Sequence, residues 1–390
     1  MGQDTNPGVL VALSYPIAMK PQPGDRVLVA MSGGVDSSVA AAMLKQQGYD
    51  VVGCFMRLGS PGDDIAGATL GHRGCCSISD ANDARSVAAK LDIPFYALNF
   101  ADDFEQIIQY FENEYHAGRT PNPCVRCNDW LKFGKLHDYA EGIGATWVAS
   151  GHHARIDYST GSPRLRRSAD FEKDQSYVLF GAGGQPGVRP GRLHEMMFPI
   201  GDLTKDEVRD QAKSLDLGVH AKPDSQEICF VPDDDYAGLL ERRNPDRFKQ
   251  GAMLDANGNE LATHEGHQHY TIGQRRRLGV AVGHPLYVIQ KDPAANTVTL
   301  GTKDELAAMS CEASEASWHV DPIHDWHPCR AQVRAHGDPL PARVRSIGKD
   351  RIEVEFSSPQ EATASGQAIV CYEGELVLCG GWIDSVTRRQ

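Results

Sequence analysis

The sequence predicts an α/β protein in which a parallel-sheet domain is followed by a small central domain and a C-terminal β-barrel. Three observations lead to this prediction. Apolar runs of strand length alternate with helical patterns over the first 155 residues, which is typical of repeated βα units. The pattern becomes mixed beyond about residue 190. From about residue 284 short strands and turns dominate, as they do in small barrels.

The length of the chain supports several domains. A chain of 390 residues is too long for one ordinary core, and two or three domains are expected. We place the parallel-sheet domain at 24–230, the central domain at 231–303 and the barrel at 304–390. Residues 1–23 are expected to form a disordered extension. Their one short apolar patch has no basic residue before it, which argues against a secretory signal.

The strands of the first domain are predicted from uninterrupted apolar runs. Such runs are typical of a parallel sheet that helices cover on both faces. We place these strands at 27–31, 50–58, 94–100 and 146–150. Because ligands bind at the carboxyl ends of parallel strands, the residues that follow the first and the last of these strands are candidates for a binding site.

The helices are predicted from apolar residues at helical intervals and from capping signals. Ser77 and Asp80 have capping-box spacing ahead of such a pattern, and so do Thr204 and Glu207. Helices are expected over 39–47, 80–90, 102–116 and 129–141, and after Thr204.

The barrel is predicted from short strands in the last third of the chain. Ile352, Val354 and Phe356 alternate with charged residues, which is the pattern of a sheet with one face in water. The expected strands lie at 286–290, 297–300, 331–335, 351–356, 367–371 and 375–378.

The loop after the first strand carries the clearest chemical signal. It contains Ser32, Gly33, Gly34, Val35, Asp36, Ser37 and Ser38. Two glycines let the backbone approach a ligand closely, the hydroxyls donate hydrogen bonds, and the following helix offers N–H groups and partial positive charge, so a phosphate is the expected ligand. No lysine follows the glycines, which excludes the GxxxxGK[ST] loop. The run SGGVDSS resembles the loop of the PP-loop ATP-binding family, which splits ATP between its α and β phosphates.

Composition bears on whether the protein associates with a membrane or with nucleic acid. No apolar run approaches the roughly 18 residues of a transmembrane helix, so we expect no membrane partner and a cytoplasmic location. The net charge of −13 does not favour nucleic acid over the whole surface. Basic residues are nevertheless clustered, for example Arg164 with Arg166 and Arg167, and a local patch is enough to bind RNA, although such a patch is more often a solvated face.

A second motif joins two cysteines. The run TPNPCVRCN places Cys124 and Cys127 ahead of a predicted helix. Cys127 falls at or next to the helix start, where the helix dipole and the neighbouring Arg126 would favour its thiolate. A single CxxC is compatible with zinc, with an iron-sulfur cluster, with redox chemistry or with two structural thiols, although the second CxxC of a usual zinc site is missing.

A third motif ends in another cysteine, Cys229, in the run KPDSQEICF. Together and in this order, SGGVDSS, TPNPCVRCN and KPDSQEICF resemble the tRNA-specific 2-thiouridylase family. The resemblance extends over essentially the whole chain after residue 23, with further matches at 53–56, 150–152, 173–177, 270–275 and 365–368.

The resemblance implies an activity. Members of the family use ATP with Mg²⁺ to adenylate the C2 oxygen of the wobble uridine in tRNAs of the lysine, glutamate and glutamine type, and replace that oxygen with sulfur. By resemblance, Cys229 accepts a persulfide from a sulfur donor such as a cysteine desulfurase or a sulfur-relay protein. Cys127 is the catalytic nucleophile, and a disulfide between the two cysteines follows each turnover.

The resemblance also implies binding residues, which we carry over by position. Residues expected to bind ATP are Ala30, Met31, Ser32, Gly33, Gly34, Val35, Asp36, Ser37, Met56 and Gly151. Residues expected to contact tRNA are Asn122, Pro123, Cys124, His152, Lys173, Asp174, Gln175, Arg334 and Gln367.

Cys124 departs from a familiar branch of the family, which carries an aspartate at this position. With Cys124, Cys127 and Cys229 the chain instead resembles members that have three such cysteines. An iron-sulfur cluster held by these three thiolates, with one open iron that could carry sulfide, is therefore an alternative to the persulfide. A second departure is Ala335, where the family often has an aromatic residue.

Two other functions remain open from the residues. Another PP-loop enzyme, such as an amide ligase, would use the loop without Cys127 and Cys229. A non-catalytic redox sensor that binds ATP, metal and RNA would use the loop, the thiols and the arginines without turnover.

Overall fold

The computed structural model describes residues 20–59, 78–184, 191–223, 228–231, 235–361 and 363–388. Most of the predicted extension lies outside these ranges. So do Cys75, Cys76, Ser77 with its expected cap, and Asp224 to Glu227 of the third motif.

Strands and helices alternate in the first part of the chain, and strands dominate the last part. The strands are β1 (Arg26–Ala30), β2 (Asp50–Arg57), β3 (Phe95–Asn99), β4 (Trp147–Ser150), β5 (Ala154–Asp157), β6 (Arg164–Arg167), β7 (Met196–Met197), β8 (Gly251–Leu254), β9 (Glu260–His264), β10 (Tyr287–Asp292), β11 (Thr297–Gly301), β12 (Ala308–Trp318), β13 (His327–Gln332), β14 (Leu340–Ser346), β15 (Ile352–Gln360), β16 (Ala368–Glu373) and β17 (Leu376–Arg388). The α-helices are α1 (Val35–Gln46), α2 (Ile78–Lys90), α3 (Ala101–His116), α4 (Pro123–Arg126), α5 (Leu136–Gly142), α6 (Lys205–Ser214), α7 (Tyr236–Arg243) and α8 (Lys303–Leu306).

The first sheet confirms the predicted parallel architecture. Its strand order is β3-β2-β1-β4-β7, and every pairing is parallel. Val27 and Val29 of β1 lie in one hydrophobic cluster, whereas Leu28 lies in another. β1 is therefore buried on both faces, which explains its continuous apolar run, whereas the residues of edge strand β3 are half-buried or exposed.

The helix after the first motif begins earlier than the sequence predicts. It starts at Val35 rather than near residue 39, so Asp36 lies in its first turn. The capping box of Thr204 and Glu207 is present as expected, with the threonine side chain accepting from the backbone N–H of Glu207.

The central part of the chain forms a separate small sheet. Its order is β10-β11-β8-β9, with Met253, Val288 and Val298 in its core. The predicted strands at 286–290 and 297–300 are β10 and β11, and they belong to this sheet and not to the barrel for which they were counted. The sequence did not predict β8 or β9.

The C-terminal strands close into the predicted barrel. The order β12-β15-β14-β13-β16-β17 is completed by pairing of β12 with β17. The long strand β12 was not predicted, because its residues are small or polar. Predicted strand 331–335 is also wrong in its bounds, since β13 ends at Gln332 and Arg334 lies beyond it.

A hairpin from the first part of the chain extends the barrel sheet. β5 and β6 pair with each other, and β6 pairs with β17. The backbone N–H of Arg167 donates to the carbonyl of Glu375 at 2.8 Å. The predicted domain boundaries stay a prediction, but this hairpin from within 24–230 belongs to the barrel sheet.

In the part of the chain that the structure describes, every helix is too short or too polar to cross a lipid bilayer.

Candidate active site

The SGGVDSS loop connects β1 to α1 at the carboxyl edge of the parallel sheet. Gly33 has a φ of 75°, and a Cβ there would lie 2.2 Å from the backbone oxygen of Asp80. Only glycine fits this position without a shift of α2. Gly34 caps α1 without a side-chain hydrogen bond. The first N–H groups of α1 therefore have no side-chain cap at Gly34, which fits a phosphate ligand.

Gly151 lies directly against this loop. It follows β4, the strand beside β1, and a Cβ on Gly151 would lie 2.4 Å from the backbone nitrogen of Ser37. The structure thus brings Gly151 and the loop together. Met56 lies near the carboxyl end of β2 and packs against the apolar cluster beneath the sheet.

A lysine that the sequence reasoning missed holds the loop carboxylate. The Nζ atom of Lys205 donates to both carboxylate oxygens of Asp36, each at 2.8 Å. Nε2 of His153 lies 3.5 Å from Oδ1 of Asp36. Burial alone would raise the pKa of Asp36, but the hydrogen bonds from His153 and Lys205 and the lysine charge lower it. Asp36 is therefore ionised at neutral pH.

A second missed lysine joins the loop to α2. Nζ of Lys222 donates to the carbonyl of Gly33 at 3.0 Å and to carboxylate oxygens of Asp80 and Asp83 at 2.5 and 2.7 Å. Lys222 comes shortly before Cys229 in the third motif. Lys222 is the first residue of that motif, but the sequence did not indicate its contact with the loop, and no sequence signal pointed to Lys205, because Lys205 is 169 residues from Asp36 and Lys222 is 189 residues from Gly33.

The cysteine turn differs from the sequence expectation in where its helix begins. Oδ1 of Asn122 accepts from the backbone N–H of Val125, and the helix begins at Pro123. Cys127 lies one turn further on, where a π-helical segment over Cys127–Lys135 starts. The helix dipole therefore acts more strongly at Cys124, in the first turn, than at Cys127.

Arg126 does not support the thiolate of Cys127 in the way that the sequence suggested. Its guanidinium donates two hydrogen bonds to the carboxylate of Glu315, both at 2.7 Å. Because Glu315 neutralises this charge, the net attraction of Arg126 for a nearby thiolate is reduced.

Cys127 and Cys229 border the same apolar cluster. Both are half-buried, whereas Cys124 is exposed. The segment with Cys229 is anchored by Phe230, whose ring packs against Phe104 and Phe111 of α3 with centroids 5.7 and 5.1 Å apart.

The three cysteines are not assembled as a set of metal ligands. Within the described ranges, no group of three or more histidine, cysteine or acidic side chains is positioned to hold a metal ion. The iron-sulfur alternative therefore stays a prediction without support from this geometry.

Several expected tRNA contacts have partners within the protein. His152 is buried, and burial holds its pKa well below the usual range. Asp174 pairs with Arg167 at 2.5 Å, and Gln367 donates to the carbonyls of Thr120 and Pro121 at 3.3 Å. Contact of these side chains with tRNA stays a prediction.

The remaining candidates are distributed around the two motifs. Pro123 is buried in the cysteine turn, and Arg334 is exposed beyond β13. Lys173 is half-buried, and Oε1 of Gln175 accepts from the backbone N–H of His153. This hydrogen bond connects Gln175, in the segment expected to contact tRNA, to His153, which lies beside Asp36.

One expected basic patch is largely neutralised. Arg164 pairs with Asp157 and Arg167 with Asp174, while Arg166 pairs with Glu375. This cluster reads as structural, and the sequence had left that interpretation open.

Family models match three consecutive parts of the chain. Residues 25–233 match the model described as tRNA methyl transferase HUP domain, 239–302 the tRNA methyl transferase PRC-barrel domain, and 308–383 the aminomethyltransferase beta-barrel domain. The first match alone covers more than half of the chain.

The curated relatives carry a different name from the models. They are described as tRNA-specific 2-thiouridylase MnmA, and two of them show the extent of the match. The protein from Rhodopirellula baltica is 44% identical over 388 residues, covering 92% of this chain and 96% of the relative. The protein from Heliobacterium modesticaldum is 45% identical over 366 residues, covering 92% of each chain.

Solved structures give weaker likenesses. The U34-tRNA thiolase NcsA from Methanococcus maripaludis, described with its [4Fe-4S] cluster, is 17% identical with a TM-score of 0.34, covering 59% of this chain and 70% of that one. A likeness at this level does not bear on the chemistry of the chain. The identity to the curated relatives over nearly the full length does, and the chain therefore belongs to the tRNA-specific 2-thiouridylase family of tRNA sulfurtransferases.

Proposed function

We propose that the protein replaces the C2 oxygen of the wobble uridine of tRNA with sulfur in an ATP-dependent reaction. One observation supports this proposal above the others: an ATP-type loop and two half-buried cysteines from separate motifs lie in one domain of a family member. An amide ligase would need the loop without these thiols.

The loop would bind the phosphates of ATP. The N–H groups at the start of α1 and the hydroxyl of Ser32 offer hydrogen bonds. Lys205 and Lys222 hold the loop in place through Asp36 and the carbonyl of Gly33. The family uses ATP, and bound Mg²⁺ would offset the charge of the phosphates. Asp36 is the carboxylate that lies within this loop and could reach the metal.

Activation makes an unreactive oxygen into a leaving group. The C2 oxygen of the uridine attacks the α phosphorus of ATP, a new oxygen–phosphorus bond forms, and pyrophosphate leaves. The uridine then carries an adenylate at C2. When C2 is attacked, AMP can leave and take the former C2 oxygen with it.

Sulfur transfer would run through the two cysteines. The terminal sulfur of a persulfide on Cys229 attacks C2, and AMP leaves. The thiolate of Cys127 then attacks Sγ of Cys229, which breaks the sulfur–sulfur bond, releases 2-thiouridine and forms a Cys127–Cys229 disulfide. In the alternative order, Cys127 first frees hydrosulfide, which attacks C2. A dithiol reductant restores both thiols in either case.

The sulfur donor, the persulfide on Cys229 and the choice of lysine, glutamate and glutamine tRNAs follow from the family resemblance and stay predictions. The cytoplasmic location is also a prediction.

The test is an assay with a tRNA transcript that carries a wobble uridine, ATP, Mg²⁺ and sulfide or a cysteine desulfurase with cysteine. We expect AMP and 2-thiouridine, detected by mass spectrometry of the digested tRNA. Cys127→Ala and Cys229→Ala should abolish 2-thiouridine formation when a desulfurase supplies the sulfur. Cys54→Ala is the matched control, because burial raises the pKa of this core thiol to about 12 and leaves it unreactive.

Two outcomes would contradict the proposal. If 2-thiouridine still forms in both cysteine variants when a desulfurase supplies the sulfur, the sulfur does not pass through these thiols. If AMP forms equally well without tRNA, then the group that is adenylated is not the tRNA.

A further inference from the structure

Arg126 connects the cysteine turn to the barrel. It lies between Cys124 and Cys127 in the chain, yet its guanidinium reaches β12 and donates to both carboxylate oxygens of Glu315 at 2.7 Å. A bidentate arginine–carboxylate pair fixes the orientation of both groups more strongly than a single ionic contact does. The turn that carries the cysteines is thus held from the barrel side.

Three aromatic rings enclose the same guanidinium. Its central carbon lies 4.1 Å from the ring centroid of Trp382 and 5.1 Å from those of Tyr110 and Trp130. The Arg126 side chain is only 8% exposed. Burial alone would lower the pKa of Arg126, but the hydrogen bonds and charge of Glu315 raise it, so the guanidinium is charged within the cage.

The backbone of β12 is shaped to present Glu315. This residue has a φ of 50°, which is unusual for a residue other than glycine. It lies where the pairing of β12 with β17 shifts register, between Ser314 and Ser317. Such a bulge aims a side chain away from the regular alternation of the strand.

The barrel also holds the chain just before the cysteine turn. The backbone N–H of Thr120 donates to the carbonyl of Ser365 at 2.8 Å. Nε2 of Gln367 donates to the carbonyls of Thr120 and Pro121. The turn from 121 to 126 therefore has barrel contacts at both of its ends.

We propose that Arg126 and Glu315 are positioning residues for sulfur transfer. Their ion pair, enclosed by the aromatic cage and anchored on the barrel, fixes the position of the Cys127 thiol. The inference rests on the proposed function, in which Cys127 is the nucleophile. Arg126 and Cys127 are neighbours in one helical turn, so a shift of the guanidinium moves the thiol. A displacement of about 1 Å can lower a rate by about 100-fold when atoms must meet in line.

The test compares Arg126→Lys, Glu315→Gln and the double variant in the thiolation assay. Lysine cannot make the bidentate pair or stack as a plane, and glutamine keeps the shape of Glu315 without its charge. We expect each single variant to lower kcat at least 10-fold, with KM for tRNA and ATP within twofold. The kcat of the double variant should be no lower than that of the less active single variant, because both residues act through one contact.

A matched control exists on the same barrel. Arg343 donates to Glu355 at 2.7 Å and stacks at 4.5 Å from the ring of Trp326, and it is half exposed. Arg343→Lys changes the same kind of pair outside the cysteine turn, and it should leave kcat within twofold of the wild type.

A second readout separates positioning from general stability. The rate at which iodoacetamide alkylates Cys127, followed by mass spectrometry of the peptide, should change at least threefold in Arg126→Lys and Glu315→Gln. The rate for Cys229 should not change. Trp130→Leu removes one ring at a position that is 37% exposed and leaves the ion pair, so it tests the cage even where the charge variants unfold; it should lower kcat at least threefold.

The outcomes are distinct. If Cys127→Ala is inactive while Arg126→Lys, Glu315→Gln or Trp130→Leu keeps kcat within twofold of the wild type, the inference is wrong and the proposed function stands. Additive losses in the double variant, or an unchanged alkylation rate at Cys127, would also overturn it. If Cys127→Ala remains active, the proposed function itself fails.

Discussion

Replacing Lys205 with methionine removes the cation that holds the carboxylate of the phosphate loop. Methionine keeps most of the apolar stem of lysine but has no charge and no donor. Asp36 would then keep the contact with Nε2 of His153, at 3.5 Å. We expect the free energy of unfolding to fall and the loop to lose its arrangement.

The magnitude follows from the exposure of the two side chains. Lys205 is 11% exposed and Asp36 is 30% exposed, so the pair lies between a buried and a surface ion pair. Breaking a buried pair costs about 3–5 kcal/mol, and a surface pair contributes about 1 kcal/mol or less. We therefore expect a loss of about 2 kcal/mol at pH 7.

The loss should depend on pH in one direction. The pKa of Asp36 is lower in the folded protein than in the unfolded chain, so the pair stabilises the fold above an ordinary aspartate pKa of about 4. As the pH falls through the folded pKa, Asp36 becomes protonated and the contribution disappears. The difference between wild type and Lys205→Met should accordingly shrink at acidic pH.

The assay is urea unfolding followed by tryptophan fluorescence at pH 7 and at the lowest pH where the protein stays folded. Lys303→Met is the control, because Lys303 and Glu361 form an exposed pair at 2.8 Å, and no measurable change is expected. A loss below about 0.5 kcal/mol at pH 7, or one that is equal at both pH values, would refute the reasoning.

Two further variants test other parts of the structure. Gly33→Ala places a Cβ at a φ of 75° and 2.2 Å from the oxygen of Asp80, so ATP affinity measured by calorimetry should fall at least 10-fold, and unchanged affinity would show that the loop tolerates a side chain. Lys291 is buried, and burial lowers its pKa to about 7. Between pH 7 and 10, Lys291 is protonated in the unfolded chain but neutral in the folded protein. The free energy of unfolding of the wild type, measured with urea, should therefore rise by up to about 1.4 kcal/mol per pH unit relative to that of Lys291→Met. Parallel pH profiles would contradict this.

Local patterns predicted the parts of the fold that local residues determine. β1, β2, β3 and β4 agree with the predicted strands within about two residues at each end. For β1 and β4 the reason is that a strand covered on both faces must be apolar throughout, whereas β3 is an edge strand with half-buried and exposed residues. The capping box at Thr204 was also predicted, since its two partners are three residues apart.

The parts that failed depend on distant partners. β6 consists of Arg164, Leu165, Arg166 and Arg167, and its sequence indicated a basic patch. Two of its carboxylate partners are seven residues away, but Glu375 and the strand β17 that complete it come from more than 200 residues later. The same holds in the site. SGGVDSS was predicted from its own residues, whereas Lys205 could be recognised only after folding brought it to Asp36.

The β5–β6 hairpin joins the barrel sheet through β17, and this affects how the chain folds during synthesis. Glu375, which accepts from the hairpin, follows Arg166 by 209 residues. During synthesis the hairpin therefore leaves the ribosome long before β17 exists, and its outer edge must wait without a partner strand. Pairs of such high sequence separation form late, because closing a long loop costs entropy. We expect the union of β6 with β17 to be among the last events of folding, and the nascent chain to be most prone to aggregation until then.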